Sequence, residues 1–536
     1  MKDTINTNAG SKTFVMGLTL VATLGGLLFG YDTAVISGAV GSLQSFFIDS
    51  LNLDNGEAKM VILEYRTTVY VAIFIVLLSV GGVVIKLIGR TKGIVSTIVL
   101  FVAAFFIISN NFSGEPVLDE ETANSLKGFI VSSALIGCII GGSLGGLISK
   151  EMGRKRGLIL AALLFTISAI GSSIPEIMNV FGVENVTSFI IYRIIGGIGV
   201  GMASMLSPMY IAEIAPPKIR GQLVSWNQFA IIFGMLVIYF VNYFIAKHGD
   251  QTWLNNTGWR WMFASETIPA GLFLILLWFV PETPRFMVMK NQDSEALKVL
   301  NKLNGSDQSV RILDEIKETL KIKDAPWLSY GWLLIFVGIF LSVFQQFVGI
   351  NVVLYYAPEI FKSMGSGTES SLLQTIIVGA VNLTFTVLAI FTVDKFGRKP
   401  LMMIGGIGMA VSMIALGMSF YLESIGIGTL IFMLLYTASF AMSWGPVTWV
   451  LLSEIFPNRI RGAMSIAVAA QWIANFAVSW TFPMMNDNTW LNNQFSHGFA
   501  YWIYGIMGLF AAFFVWKFVP ETKGKTLEEM EDVWNE

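Results

Sequence analysis

Glu213-Ile214-Ala215-Pro216-Pro217-Lys218-Ile219-Arg220-Gly221 is matched later in the chain by Glu454-Ile455-Phe456-Pro457-Asn458-Arg459-Ile460-Arg461-Gly462. Two shorter phrases repeat in the same order. Gly153-Arg154-Lys155 returns as Gly397-Arg398-Lys399, and Pro281-Glu282-Thr283 returns as Pro520-Glu521-Thr522. Each pair is separated by about 240 residues, far beyond the period of a solenoid repeat. The chain therefore reads as two homologous halves.

Composition says where such halves would sit. Of the 536 residues, 54% are hydrophobic and 13% charged, and mean hydropathy is +0.67. A soluble domain carries about twice that charged fraction. Apolar runs of about 20 residues recur throughout, the length that crosses a bilayer. Duplicated halves in a polytopic chain are a mark of transporters. A net charge of -2 argues against a nucleic-acid partner. The single cysteine, Cys138, excludes an intrachain disulfide. Lys12 and the apolar run from Phe14 look like a signal peptide but lack a small-residue cleavage site. They read as the first span.

Spans are expected near 14–38, 127–149, 156–177, 187–211, 222–247 and 259–280. Six more follow near 331–361, 370–394, 400–421, 426–453, 463–485 and 498–519. Extra apolar runs at 67–89 and 93–109 form an inserted hairpin between the first and second spans. It either crosses the membrane or dips into it, the second run being short. The units are then 1–49, the hairpin at 50–120, the rest of the first bundle at 121–282, a linker at 283–330, the second bundle at 331–519 and a tail at 520–536. In the linker, Leu297, Leu300 and Leu303, then Leu313, Ile316 and Leu320, predict short amphipathic helices, with Asp293 or Ser294 as a cap.

Basic residues orient the chain. Lys150, Arg154, Lys155, Arg156, Lys218, Arg220, Lys395, Arg398, Lys399, Arg459 and Arg461 fall on one side. That side is cytoplasmic by the positive-inside rule, and both termini share it. The hairpin turn Gly89-Arg90-Thr91-Lys92-Gly93 fits the same side, while Glu115, Asp119, Glu120, Glu121 and Asp487 lie opposite.

Few ionisable residues sit within spans: Asp32, Arg193 and Glu266. Charge in hydrocarbon is expensive, so these should face inward and meet. An acid that alternately gains and loses an arginine partner would load and unload a proton. A static ion pair for folding specificity is the competing reading. Spans also carry carboxamides: Asn227, Gln228, Gln345, Gln346, Asn351, Asn382, Gln471 and Asn475. Phe29, Tyr355, Tyr356, Trp444 and Trp472 accompany them. Amides donate and accept, which suits vicinal hydroxyls, and aromatic faces suit a sugar ring. One amide alone would more readily join helices. So many, from both halves, favour a neutral polyhydroxyl ligand. Gly349 and Pro358 bracket an expected helix break, and Trp444-Gly445-Pro446 marks a second.

Gly197, Gly199 and Gly201, like Gly142 and Gly146, lie within spans and read as helix packing rather than a nucleotide loop. His248 and His497 read as solvated loop residues. Asn111-Phe112-Ser113 and Asn185-Val186-Thr187 are discounted as chance glycosylation matches. Metal clusters, Walker loops and nucleophile elbows are not found in the sequence, so neither an enzyme nor a cofactor is expected. Energy would come from a gradient.

The repeated motifs resemble the sugar porter family of the major facilitator superfamily. Phe29-Gly30-Tyr31-Asp32-Thr33-Ala34-Val35-Ile36-Ser37-Gly38, with 192–213 and 341–358, carries the resemblance most densely. It covers the chain apart from about 50–120. It implies an all-α membrane protein with the major facilitator fold: two six-helix bundles of 12 spans, plus the hairpin. It implies proton-coupled sugar import in a bacterial inner membrane, with D-xylose as the expected sugar and the monomer as the working unit. A hexose symporter, an uncoupled facilitator and a transporter-like sugar receptor are the alternatives. The sugar would be held by Gln228, Gln345, Gln346, Asn351, Trp444 and Gln471, with Phe29, Asn382, Tyr355 and Trp472 around it. Asp32 would couple the proton, paired with Arg193 and linked to Glu266. Arg154, Glu213, Arg220, Glu282, Arg285, Arg398, Glu454 and Arg461 would form a cytoplasmic gate. Two departures stand out. Met235 occupies the place of a further pocket glutamine, and Lys150 that of a usual acid.

Overall fold

Hydrocarbon cannot hydrogen-bond a peptide, so each apolar run must satisfy its own backbone as a helix. The computed structural model describes residues 11–51, 56–112, 114–180, 182–216, 219–321, 325–524, 529–530 and 534. The first bundle opens with α1 (Lys12–Gln44). The hairpin follows as α2 (Gly56–Ile88) and α3 (Arg90–Asn111). The bundle resumes with α4 (Glu120–Glu151), α5 (Arg154–Ser173), α6 (Asn185–Ile214) and α7 (Arg220–Ala246). It ends with α8 (Trp259–Ser265) and α9 (Thr267–Leu277), two pieces of one span interrupted at Glu266.

The linker contributes α10 (Asp293–Asn304) and α11 (Ser306–Lys321). Leu300 and Leu313 pack with Leu297, Ile316 and Leu320 in a small core of their own, while Leu303 joins the main core. Neither expected cap applies: Asp293 and Ser294 are already inside α10, which Gln292 precedes.

The second bundle comprises α12 (Trp332–Phe347), α13 (Ile350–Ser363), α14 (Thr368–Phe396) and α15 (Arg398–Tyr421). It continues with α16 (Ile427–Met442), α17 (Trp444–Ile455), α18 (Met464–Asn486) and α19 (Phe499–Phe518). Thirteen stretches among the described residues are long and apolar enough to cross a membrane, both hairpin helices included. The fourteenth, α18, carries Gln471, Asn475 and Asn486 and is less apolar.

Within the first half α4 packs on α6, α5 on α6 and α1 on α7; within the second, α15 packs on α19 and α12 on α18. A Cβ on Gly197 would collide with the Ala134 carbonyl, and one on Gly137 with that of Ile194. Glycine thus lets α4 and α6 touch backbone to backbone. Gly201 has the same part, but Gly142 and Gly146 meet only ordinary contacts, so the packing expected of them belongs to Gly137 and Gly141 instead. The halves meet along α4 with α18, α7 with α14 and α1 with α13.

The hairpin lies outside this body. Only 11% of the apolar window of α2 and 6% of that of α3 are buried, against 67% for α4. Its outward faces are exposed and apolar, with Phe74, Leu78, Phe105 and Phe106 among them. Both expected breaks exist, slightly displaced. Gly349 separates α12 from α13 at φ +89°, a left-handed conformation that glycine adopts without strain, while Pro358 sits inside α13. The second break falls at Ser443, one residue before Trp444.

Candidate functional site

Asp32 of α1 and Arg193 of α6 are at most 1% exposed. Arg193 Nη1 donates to Asp32 Oδ1 at 2.7 Å, and Nη2 donates to the Asp32 carbonyl oxygen at 3.1 Å. The Phe263 ring lies 5.4 Å from the guanidinium carbon. Glu266, at the break between α8 and α9, is fully buried beside this pair. No N–H or hydroxyl of the described residues donates to its carboxyl oxygens or to Asp32 Oδ2, and the two carboxyls lie against each other. Two acids and one cation therefore share a buried site. Next to Glu266, Ser265 Oγ meets Tyr31 Oη at 2.8 Å.

The second half assembles an amide cluster at its two helix breaks. Gln345 Nε2 donates to the carbonyls of Trp444 at 2.9 Å and Gly445 at 3.3 Å. Gln345 Oε1 accepts from Gln471 Nε2 at 2.5 Å and from Gln346 Nε2 at 3.3 Å. Asn351 Nδ2 donates to Gln346 Oε1. Trp444 is fixed by its Nε1 donating to the Met402 carbonyl at 2.8 Å. Five of the expected residues thus form one network across α12, α13, α17 and α18.

Phe29 and Trp472 bring the halves together, ring centroids 5.7 Å apart. Buried polar atoms are left over: Gln471 Oε1, Trp472 Nε1, Asn382 Oδ1 and Asn227 Oδ1 have no partner. Unsatisfied buried groups are costly, and a hydroxyl-rich ligand could satisfy them. Gln228 is half-buried and joined to the cluster by no bond. Met235, two turns further along α7, is buried. Tyr355 is buried beside Asn475. Tyr356 serves the fold, its hydroxyl donating to the Ser479 carbonyl at 2.8 Å.

The repeated motifs make the same device twice. In the first half Arg154 Nη2 pairs with Glu213 Oε1 at 2.7 Å, and Glu282 accepts from the N–H groups of Arg154 and Lys155 at 3.0 and 3.1 Å. In the second, Arg398 Nη2 pairs with Glu454 Oε1 at 2.8 Å. There Glu521 accepts from the Arg398 and Lys399 N–H groups at 3.1 and 3.0 Å. Each glutamate is an anion set on a helix N-terminus, where orphan N–H groups and the helix dipole favour it. Arg220 is exposed and Arg285 half-buried. Lys218 and the side chains of Arg459 and Arg461 lie outside the described residues. Among the described residues, the ion pairs at this motif end lie within one half or involve the linker, as Lys290 with Glu151 does. Glu521 and Thr522, which donates to Glu454 Oε2 at 2.5 Å, were missed as partners, although the Pro-Glu-Thr repeat flagged them.

The opposite end holds the bonds between halves. Lys127 Nζ of α4 meets Asp487 Oδ2 at 2.7 Å, and Glu120 accepts from the Thr489 N–H and hydroxyl at 2.6 and 2.8 Å. On the other seam Tyr239 of α7 donates to the Leu354 carbonyl at 2.9 Å. His248 is exposed. His497 departs from the solvated reading: it is half-buried, with Nδ1 2.9 Å from the Asn486 carbonyl oxygen.

Two pseudo-equivalent bundles, a buried acid–base pair in one and an amide cluster in the other define a membrane transporter of the major facilitator type. The profile described as "Sugar (and other) transporter" matches residues 18–114 and 108–534, and the chain belongs to that family. It is 53% identical over 544 residues to the D-xylose-proton symporter of Escherichia coli, covering 99% of this chain and 97% of that protein. It is 36% identical to the arabinose-proton symporter of Bacillus subtilis, covering 98% and 97%. The inward-open structure of the Escherichia coli xylose transporter superposes with a TM-score of 0.77 at 52% identity, covering 97% of this chain and 100% of that one.

Proposed function

We propose that this chain imports D-xylose together with a proton by alternating access. The buried Asp32–Arg193 pair beside Glu266 carries the coupling. Both residues lie in the first half, so the pair parts only when α1 shifts against α6 as the halves rock, and Asp32 is then left as a lone buried charge. Taking a proton removes that cost, which for an unpaired buried ion is several kcal/mol. Re-forming the pair releases the proton. The membrane potential then adds about 2.3 kcal/mol per 100 mV for each charge carried. That corresponds to roughly fifty-fold sugar accumulation at 100 mV.

Gln345, Gln346, Asn351, Trp444 and Gln471 are the proposed sugar-binding residues, their amides able to trade bonds with each other for bonds to hydroxyls. Gln228, Phe29, Asn382, Tyr355 and Trp472 complete the pocket in this reading. The basic motif end is proposed as the cytoplasmic end, with both termini there, in a bacterial inner membrane, and the monomer as the transporting unit. Arg154, Glu213, Arg220, Glu282, Arg285, Arg398, Glu454 and Arg461 would surround the inner gate. The bonds at the opposite end support the reading that the outer side is shut in this conformation. Residues 50–120 are proposed as a separate membrane hairpin attached to the first half.

The test is uptake of labelled xylose, glucose, galactose and arabinose into proteoliposomes with and without a pH gradient. Xylose accumulation that needs the gradient supports the proposal. Equilibration without accumulation would favour a facilitator, which the 40% identity to the glucose facilitated diffusion protein of Zymomonas mobilis makes the second reading.

A further inference from the structure

We propose that Lys127 and Asp487 latch the outer gate, and that the inserted hairpin anchors the latch. This rests on the alternating-access reading and on the orientation given above.

The pair crosses between the halves at the one end where their described ion pairs meet. Its nitrogen and oxygen are 2.7 Å apart, with side chains only 10% and 28% exposed. The other inter-half pair at this end, Lys247 with Glu369, is 3.8 Å apart and about 60% exposed on both sides. Solvent screening leaves an exposed pair of that kind little effect. Partial burial leaves Lys127–Asp487 much of its attraction. Asp487 is positioned for it: Asn486 Nδ2 donates to its other oxygen at 2.7 Å.

The surrounding contacts make one closed zipper. Trp480 Nε1 of α18 donates to the Ser125 carbonyl at 3.0 Å. The ring of Trp480 lies 5.5 Å from that of Phe129. A Cβ on Gly128 would collide with the Trp480 carbonyl. Separating α4 from α18 at this end therefore requires breaking the ion pair, the indole bond and the Glu120–Thr489 bonds together.

The hairpin grips the same residues from behind. Tyr65 Oη of α2 meets Ser125 Oγ at 2.7 Å, and its ring lies 5.5 Å from Phe129. Ser125 thus joins the hairpin through its hydroxyl and the second half through its carbonyl. Glu64 accepts from the Glu184 N–H at 2.9 Å. Arg66 ties down the return to α4, donating to the carbonyls of Phe112, Gly114 and Glu115 at 2.8–3.1 Å. The tip of α4 is held against the first half, so the latch resists outward opening instead of bending with it.

A latch that favours the inward-facing state lowers the fraction of outward-facing carriers. The apparent dissociation constant scales inversely with the competent fraction. Loosening it should therefore tighten apparent binding of external sugar and weaken that of internal sugar. Lys127→Gln and Asp487→Asn, assayed for xylose entry in right-side-out and inside-out vesicles, should lower the external half-saturation constant about fivefold, the low end of the usual range of conformational couplings. The internal constant should rise. The charge swap K127D/D487K should return both toward the original values, and Tyr65→Phe should move them in the same directions by less. Unchanged constants, shifts of one sign on both faces, or a swap that behaves like the single variants would overturn the latch. A second measurement needs no substrate. Spin labels on Glu121→Cys and Trp490→Cys, both exposed positions, should move apart in Lys127→Gln, and an unaltered distance distribution would overturn the proposal. Failure of the unmodified chain to carry xylose would count against the transport reading alone.

Discussion

The Arg193 guanidinium holds Asp32 at two points, the carboxylate and the backbone carbonyl of the same residue. Asp32→Asn keeps a similar shape but cannot take a proton. It should abolish gradient-driven accumulation and leave sugar counterflow measurable. Uphill uptake at the original level in this variant would end the coupling argument.

Gln345 is the hub of the amide cluster, bonded to Trp444, Gly445, Gln346 and Gln471. Gln345→Ala should weaken xylose binding by about 1–3 kcal/mol, the cost of buried hydrogen bonds left unmade. Equilibrium binding to purified protein reads this directly. Unchanged affinity would assign the amide to helix packing.

Glu282 and Glu521 each clamp the last span of a half to its third by accepting backbone N–H bonds. Glu282→Ala and Glu521→Ala should each cost about 1–2 kcal/mol of stability, as expected for charged caps on helix ends. Thermal melting in detergent checks this. Sugar affinity at equilibrium should stay near its original value.

Asp119 caps α4, its Oδ1 accepting from the Thr122 N–H at 2.8 Å. Thr122, through its side chain and then its N–H, holds the Asp119 carboxyl below its ordinary value, with Arg66 adding to the effect. A group with a depressed folded-state pKa stabilises the fold above its ordinary pKa and loses that contribution as pH falls through the lowered value. Asp119→Ala should therefore cost about 1 kcal/mol at neutral pH, the usual worth of a cap. The two proteins should converge in stability as acid titrates the carboxylate. A constant difference across that range would remove the charge from the explanation.

Hydropathy and the repeated motifs were enough to read the two bundles and the hairpin, because bilayer length and duplication are written locally. Asp32, Arg193 and the amides stood out because polar groups are rare in spans. What stayed hidden was pairing across long separations. Lys127 looked like the end of a span and Asp487 like a loop acid, and no local pattern links them over 360 positions. His497 looked solvated because its partner, the Asn486 carbonyl, is a backbone atom without a side-chain signature. The break expected at Trp444 sits at Ser443 because the turn is set by backbone angles, which proline and glycine only approximate.

The glutamate clamps have one more consequence. Each fixes the backbone start of one helix to the end of another in the same half, so rocking of the halves as rigid bodies leaves it made. Such bonds contribute the same free energy to both orientations and drop out of the difference between them. They harden the two levers without tilting the balance. What differs between the halves supplies the chemistry: Asp32 occurs in one of them, and the amide network in the other.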